Sequence, residues 1–219
     1  MGLGIVKRLS DAGDNVVVLS RTGESLEGLS NVTHLELDLS QDDISGDDLP
    51  SVIDGLVYCP GSLNLRSFRA LKPETFRSDF EINVVGAVKV IQAALKGLKA
   101  SGQASVVTFS TVAVAQGMPV HASIAASKGA IEGLTRSLAA ELAPEIRFNC
   151  IAPALTNTPL TSRFFGDEAK AAAMGEKYAL KRTGTVDDLA EMACFLLSDK
   201  SSWVTGQTIG VDGGMSTLR

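Results

Sequence analysis

Proton transfer near neutral pH needs an imidazole, an amine or an acid held against a substrate. Two such groups, His121 and Lys128, stand seven residues apart in this chain. At about 100° per residue, seven steps return to nearly the same helix face, about 10 Å further along. The two side chains would not touch, but one small molecule could reach both. Imidazole gives or takes a proton near neutrality. Thr111, with Ser110 beside it, puts a hydroxyl directly after an apolar run. Asn83 interrupts an apolar stretch, where an amide without partners would be costly, so a specific hydrogen bond is expected. Gly2-Leu3-Gly4 supplies glycines of the kind that let a helix N-terminus approach a phosphate. No metal site is expected. Cys59, Cys150 and Cys194 are odd in number, widely spaced and set in apolar contexts, and they read as buried free thiols. A reducing cytoplasm is their natural setting.

These residues must be held by elements that alternate along the chain. Short β-branched or apolar runs predict strands over Asn15–Ser20, Thr33–Leu37, Val52–Tyr58, Ala104–Ser110, Arg147–Ile151 and Gln207–Val211. Helices are predicted over Gly2–Ala12, over Pro73–Lys99 with Phe76, Phe80, Asn83, Val84, Ala87, Val88, Ile91 and Leu95 at helical spacing, and over Ser123–Leu142 with Ala126, Ala130, Leu134 and Leu138. Another begins at Thr185, an N-cap followed by Asp187 and Asp188. Ser40–Ser51 is acidic and reads as a solvated helix or loop. Thr161–Arg182 reads as a helical insertion covering the open end of the sheet. The alternation predicts an α/β fold of a single domain, 1–219: a doubly wound, mainly parallel, Rossmann-like sheet between two helical layers. Ligands of such sheets bind beyond the carboxyl ends of the strands.

Bulk properties narrow the function. A net charge of −5 argues against a broad nucleic-acid surface. With 45% hydrophobic and 21% charged residues, the mix is that of a soluble globular domain. No run approaches the roughly 18 apolar residues of a membrane span, and no signal peptide is expected. A small-molecule substrate is the partner anticipated, in the cytoplasm.

The residues after each predicted strand resemble the short-chain dehydrogenase/reductase superfamily, most closely its 3-oxoacyl-carrier-protein-reductase-like branch, over essentially the whole chain. Met1–Ile5 is similar to the tail of the family's glycine-rich turn, with Gly2 as its last glycine. Arg21, in Ser20-Arg21-Thr22, stands where the family places a base against the 2′-phosphate of NADP, so NADP(H) is favoured over NAD(H). Asp38 is similar to the adenine-contacting aspartate. Tyr58-Cys59-Pro60-Gly61 stands where Asn-Asn-Ala-Gly is usual, and only Gly61 survives. Asn83 matches the asparagine that holds a water in the family's proton relay. Pro153, Thr156 and Thr158 match the loop over the nicotinamide, with Ala154 in place of a glycine. Val204–Gly214 resembles the C-terminal strand and turn. The family's habit implies a homo-oligomer, dimer or tetramer, and a small apolar surface is read from Ala87, Ala93, Ala94, Ala139 and Ala140.

Two departures matter. In the family a Tyr transfers the proton, a Lys four residues on lowers its pKa and holds the ribose, and a Ser binds the substrate. Here Lys128 is that lysine and Thr111 keeps the hydroxyl, but Ile124 stands in the tyrosine's place. Losing a general acid typically costs about 10²–10⁴-fold in rate. His121 is the substitute candidate, since enoyl-reductase relatives carry their tyrosine at this wider spacing. The family's first, central strand and first two glycines would also precede Met1. Either a longer natural protein begins upstream, or the neighbouring strands, Asn15–Ser20 and Val52–Tyr58, pair directly. A chain lacking that strand is expected to bind cofactor poorly and to be marginally stable. Three functions follow: an NADP-dependent oxidoreductase on a carbonyl or alcohol, a pseudoenzyme or scaffold that kept the fold, or a non-redox isomerase or dehydratase.

Overall fold

All six side chains of Ala104–Phe109 are buried, as required of a strand covered by helices on both faces. The computed structural model describes residues 1–39, 41–166 and 168–218. In chain order the elements are α1 (Gly2–Asp11), β1 (Val16–Ser20), β2 (Val32–Glu36), β3 (Gly55–Tyr58), α2 (Pro73–Phe80), a π turn (Glu81–Val85), α3 (Gly86–Ser101), β4 (Ala104–Phe109), α4 (Ala113–Gln116), α5 (Ala122–Leu142), β5 (Ile146–Pro153), α6 (Glu168–Gly175), α7 (Val186–Leu197) and β6 (Thr208–Val211).

The strands pair in parallel in the order β3-β4-β5-β6, and β1 pairs in parallel with β2. The parallel α/β arrangement is as expected, but the alternative in which the neighbouring strands pair directly is corrected: β1 and β3 do not pair with each other. Alternate residues of the strands face opposite layers. Val106, Phe148, Cys150, Leu56 and Tyr58 join Val84, Ala87, Ile91 and Leu98 of the α3 side and Ile131 of α5 in one core. Val107, Phe109 and Ile151 join Ile5 of α1 and Leu189, Ala190 and Ala193 of α7 in the other. Leu19 of β1 packs against the first core, so the two-stranded piece belongs to the same three-layer α/β/α domain.

Several predicted bounds shift for identifiable reasons. The long helix expected over Pro73–Lys99 contains a π turn, whose Ile82 carbonyl is taken by the Tyr58 hydroxyl at 2.6 Å. The third strand keeps only Gly55–Tyr58, because the Ile53 amide turns to the Gly97 carbonyl at 3.0 Å. Of the α5 stripe read at Ala126, Ala130, Leu134 and Leu138, the last three pack partly buried against the first core and Ala126 is exposed. The buried face of α5 runs through Ser123, Ile124, Ser127, Lys128, Ile131, Thr135, Ala139 and Leu142. Ala87, Ala94 and Ala139 are buried inside the chain and so are not the apolar surface expected of them. In Ser40–Ser51 the described residues hold one 3-10 turn, Gly46–Asp48, and Ser40 lies outside the described residues. Thr161–Arg182 is helical in part, at Ser162–Phe164 and in α6, with Asp167 outside the described residues.

Three close approaches lock the layers. A Cβ on Gly4 would stand 2.4 Å from Val186 Cγ1, so α1 and α7 touch backbone to side chain. Thr185 caps α7 in a reciprocal box with Asp188. Arg147 of β5 donates to the carbonyls of Leu196, Ser198, Ser201 and Val204 at 3.0–3.2 Å, closing the C-terminal end of α7. Among the described residues no helix is long and apolar enough to cross a membrane.

Candidate active site

All strands of each piece run parallel, so their carboxyl ends share an edge. α1 runs back along β1 through the turn at Gly13, and Gly2 lies 3.6 Å, Cβ-equivalent to Sγ, from Cys59 at the end of β3. The first turn of α1, Ser20-Arg21-Thr22, Gly61, Ser110-Thr111 and Pro153 therefore collect on one side of the molecule. The start of α1 has no side-chain cap; Gly4 and Ile5 donate to the Met1 carbonyl, which leaves the Gly2 and Leu3 amides available to an anion.

Lys128 enters this edge from α5. Its side chain is buried, at 7% exposure, and its ammonium donates to no described residue. A Cβ on Gly61 would meet Asn83 Oδ1 at 3.1 Å and Lys128 Nζ at 3.3 Å. Amine and amide oxygen thus converge on one point, and glycine is the residue that leaves it open. Desolvation pulls the Lys128 pKa down to about 8, with the Cys150 and Cys59 thiols partly opposing the shift. Burial pushes those two thiols up to about 11, so they are protonated and unreactive at neutral pH. All three cysteines are free.

Asn83 owes its place to the π turn. Widening the helix there frees carbonyls that need other donors. Tyr58 fills that need at Ile82, and Gly86 makes room, since a Cβ there would lie 2.3 Å from the Tyr58 hydroxyl. Burial raises the Tyr58 pKa far above its usual value, so it serves as a fixed donor. The Asn83 amide donates to Ser62 Oγ at 2.9 Å and to the Asp79 carbonyl at 2.7 Å. Its Oδ1 is buried without a partner among the described residues. The partner expected for this polar residue is thus found for its nitrogen and missing for its oxygen.

The two hydroxyls after β4 are separated by the structure. Ser110 is buried and donates to Glu132 Oε1 at 2.6 Å, turned away from the edge. Thr111 is half-buried and only accepts the Ala113 amide at 3.3 Å, so its proton is free for a ligand. Ile124 is buried at 3% and contributes no donor. His121 precedes α5 at the N-cap position without a side-chain capping bond. Its Nδ1 lies 2.7 Å from the Pro119 carbonyl. A carbonyl only accepts, so Nδ1 is the donor of this bond, and Nε2 is the ring nitrogen that no described residue engages.

The remaining predicted residues are scattered around this centre. Arg21 is exposed and pairs with no described residue. The turn carrying it is braced from below: His34 Nε2 lies 2.9 Å from Ser20 Oγ and 3.0 Å from the Ser20 carbonyl, and Ser20 Oγ donates to the Thr22 carbonyl. The side chain of Asp38 accepts from Gln41, and its amide donates to Asp42, inside a turn after β2. Thr156 donates to the Ala154 carbonyl and Thr158 bonds Thr161, so both hydroxyls are engaged in shaping the loop after Pro153. Arg163 reaches from the covering segment to the Leu63 carbonyl at 3.2 Å. The sequence reading missed Ser62, Asn64 and Asp79. Asp79 sits four residues before Asn83, hence on the same helix face, and that spacing of two polar residues was the available signal.

An α/β/α layer order with these groups at the carboxyl edge defines a dinucleotide-binding type of domain. Residues 1–216 match the family described as Enoyl-(Acyl carrier protein) reductase. L-xylulose reductase of Bos taurus is 34% identical over 222 residues, covering 98% of this chain and 91% of that protein. Inactive 2-(S)-hydroxypropyl-CoM dehydrogenase 2 of Xanthobacter autotrophicus is 36% identical over 171 residues, covering 76% of this chain and 74% of that protein. The crystal structure of a gluconate 5-dehydrogenase from Burkholderia cenocepacia, in complex with NADP and tartrate, superposes with a TM-score of 0.88 at 27% identity, covering 100% of this chain and 91% of that one. The chain belongs to the short-chain dehydrogenase/reductase superfamily, a family of oxidoreductases.

Proposed function

We propose that this protein is an NADP(H)-dependent oxidoreductase acting on a carbonyl or alcohol. The observation that carries the reading is the convergence of Lys128 Nζ and Asn83 Oδ1 on Gly61, beside the uncapped start of α1. An amine without a protein partner and a buried orphan acceptor suit ribose hydroxyls, which donate and accept. Free amides of α1 suit a pyrophosphate. The residues present therefore fit a nicotinamide dinucleotide, which when bound supplies or accepts a hydride. Gly2 and Gly61 would let its backbone-facing parts approach. Asp38 would lie toward the adenine, and Pro153, Thr156 and Thr158 would shape the loop above the nicotinamide.

Arg21 supports NADP(H) over NAD(H), because an exposed guanidinium at the end of β1 suits a 2′-phosphate. Thr111 would orient the substrate oxygen. His121 would exchange a proton with that oxygen through Nε2, the ring nitrogen that no described residue engages, in place of the absent tyrosine. Two of the relatives' names, L-xylulose reductase and gluconate 5-dehydrogenase, suggest small polyhydroxylated compounds, and L-xylulose is a direct first substrate to try. Homo-oligomer formation is part of the same reading: Trp203 is 99% and Phe68 75% exposed, apolar surface of the kind a second copy covers.

A carbonyl panel including L-xylulose, followed by NADPH oxidation, tests the activity. His121→Ala is expected to lower turnover about 100-fold or more. Equal turnover of wild type and variant would take the histidine out of the mechanism. Ile124, together with the relative named inactive, favours a second reading, a cofactor-binding protein without turnover. Tight NADPH binding with no turnover on any carbonyl, in wild type and in Ile124→Tyr alike, would select it.

A further inference from the structure

Asp79 is fully buried, yet only half of its carboxylate is satisfied. Oδ1 accepts Ser62 Oγ at 2.5 Å and Asn64 Nδ2 at 2.6 Å, while Oδ2 has no partner among the described residues. A buried carboxylate so placed opposes folding relative to an apolar side chain of the same size. Packing does not account for it, but the hydrogen-bond directions it imposes do.

A carboxylate only accepts. Ser62 must therefore turn its proton to Asp79 and its lone pairs to Asn83 Nδ2, 2.9 Å away. The other Nδ2 proton goes to the Asp79 carbonyl. With both amide protons engaged, the Asn83 oxygen is the end left to face Gly61 and Lys128. The same carboxylate fastens Ser62 and Asn64, two residues of the irregular segment that follows β3. We infer that Asp79 is a positioning residue for Lys128: acting through Ser62, it aims the Asn83 carbonyl oxygen at the ammonium and seats the Gly61–Asn64 segment beside it. The geometry stands by itself, and only the consequence for catalysis rests on the functional reading above.

The test follows Lys128 by NMR of lysine labelled with 13C and 15N, titrated with pH in the ligand-free protein, its signal assigned by loss in Lys128→Met. The titratable groups acting on this amine are the Cys59 and Cys150 thiols, both pushed up to about 11, with the Met1 amino group beside Cys59 and Glu132 beside Cys150. Asp79→Leu and Ser62→Ala are each expected to lower the Lys128 pKa by about half a unit or more, because an acceptor aimed at the ammonium is lost. The double variant is expected to shift it no further, since the two act in one chain. Asp79→Asn, which keeps an acceptor for Ser62, is expected to stay near wild type. An unchanged pKa in Ser62→Ala, additive shifts, or an Asp79→Asn shift as large as that of Asp79→Leu would overturn the inference. Should Asp79→Leu fail to fold, Ser62→Ala against Asp79→Asn decides alone. Failure of wild type to bind NADPH would remove the functional reading and leave this result standing.

Discussion

An unfolded lysine keeps its proton to about pH 10.4, whereas burial brings Lys128 down to about 8. Below pH 8 both states hold the proton and the native state bears the full burial cost, up to about 3 kcal/mol. Between pH 8 and about 10.4 the unfolded chain binds more protons, so stability rises with pH. Lys128→Met is therefore expected to raise the Tm by several degrees at pH 7, with the gain fading above about pH 10. A melt showing the same difference at both pH values would contradict the buried charge. Tyr58 gives a second residue-scale outcome. Gly86→Ala puts a methyl against the Tyr58 hydroxyl, while Tyr58→Phe leaves the Ile82 carbonyl unpaired at about 1–2 kcal/mol. Because removing the hydroxyl makes room for the methyl, the double variant is expected to be more stable than the sum of the single losses allows. Strict additivity in denaturant melts would mean the clash is relieved elsewhere.

At the scale of elements, α7 is defined by its ends. Arg182 and the Thr185 box hold the Asp188 carboxyl well below the usual carboxylate range, the Arg182 hydrogen bond being the largest cause. A depressed carboxylate stabilises the fold above its unfolded pKa near 4 and loses that contribution as pH falls through the folded value. Asp188→Asn is expected to cost about 1 kcal/mol at pH 7, with the gap narrowing in acid melts as the pH falls from about 4 to about 2. A constant gap down to that pH would refute the charge-based account. The Thr185 cap was legible because a capping box is a local pattern, readable within four residues. The break at Glu81–Val85 was not, because its cause is the Tyr58 hydroxyl, distant in sequence and invisible to periodicity. For the same reason Lys128 could be placed on a helix face from spacing alone, while the Ser62–Asp79 link behind Asn83 needed coordinates. Ala87, Ala94 and Ala139 misled because a small apolar residue reads alike at a surface contact and in a core.

Across the whole molecule, the division of the sheet sets a gradient of stability. β4 and β5 are flanked on both sides and almost wholly buried, whereas β1 is partly buried throughout and pairs only with β2. Local opening requires less free energy where less apolar contact is lost. Native-state hydrogen exchange is expected to run about 100-fold or more faster at Val16–Ser20 than at Ala104–Phe109. Uniform protection would show that the two pieces open as one unit. The proposed cofactor edge spans both pieces, Arg21 on one and Gly61 on the other, so NADPH binding is expected also to slow exchange in β1.

The central claim is that Lys128 faces a nicotinamide dinucleotide laid along this edge, with Arg21 reading its 2′-phosphate. Fluorescence titration of the purified protein with NADPH and NADH, for wild type, Lys128→Met and Arg21→Ala, tests it most directly. Wild type should bind NADPH more tightly than NADH, Lys128→Met should weaken both, and Arg21→Ala should lose about 10-fold or more for NADPH alone. Wild-type affinity for both nucleotides in Lys128→Met would contradict the account.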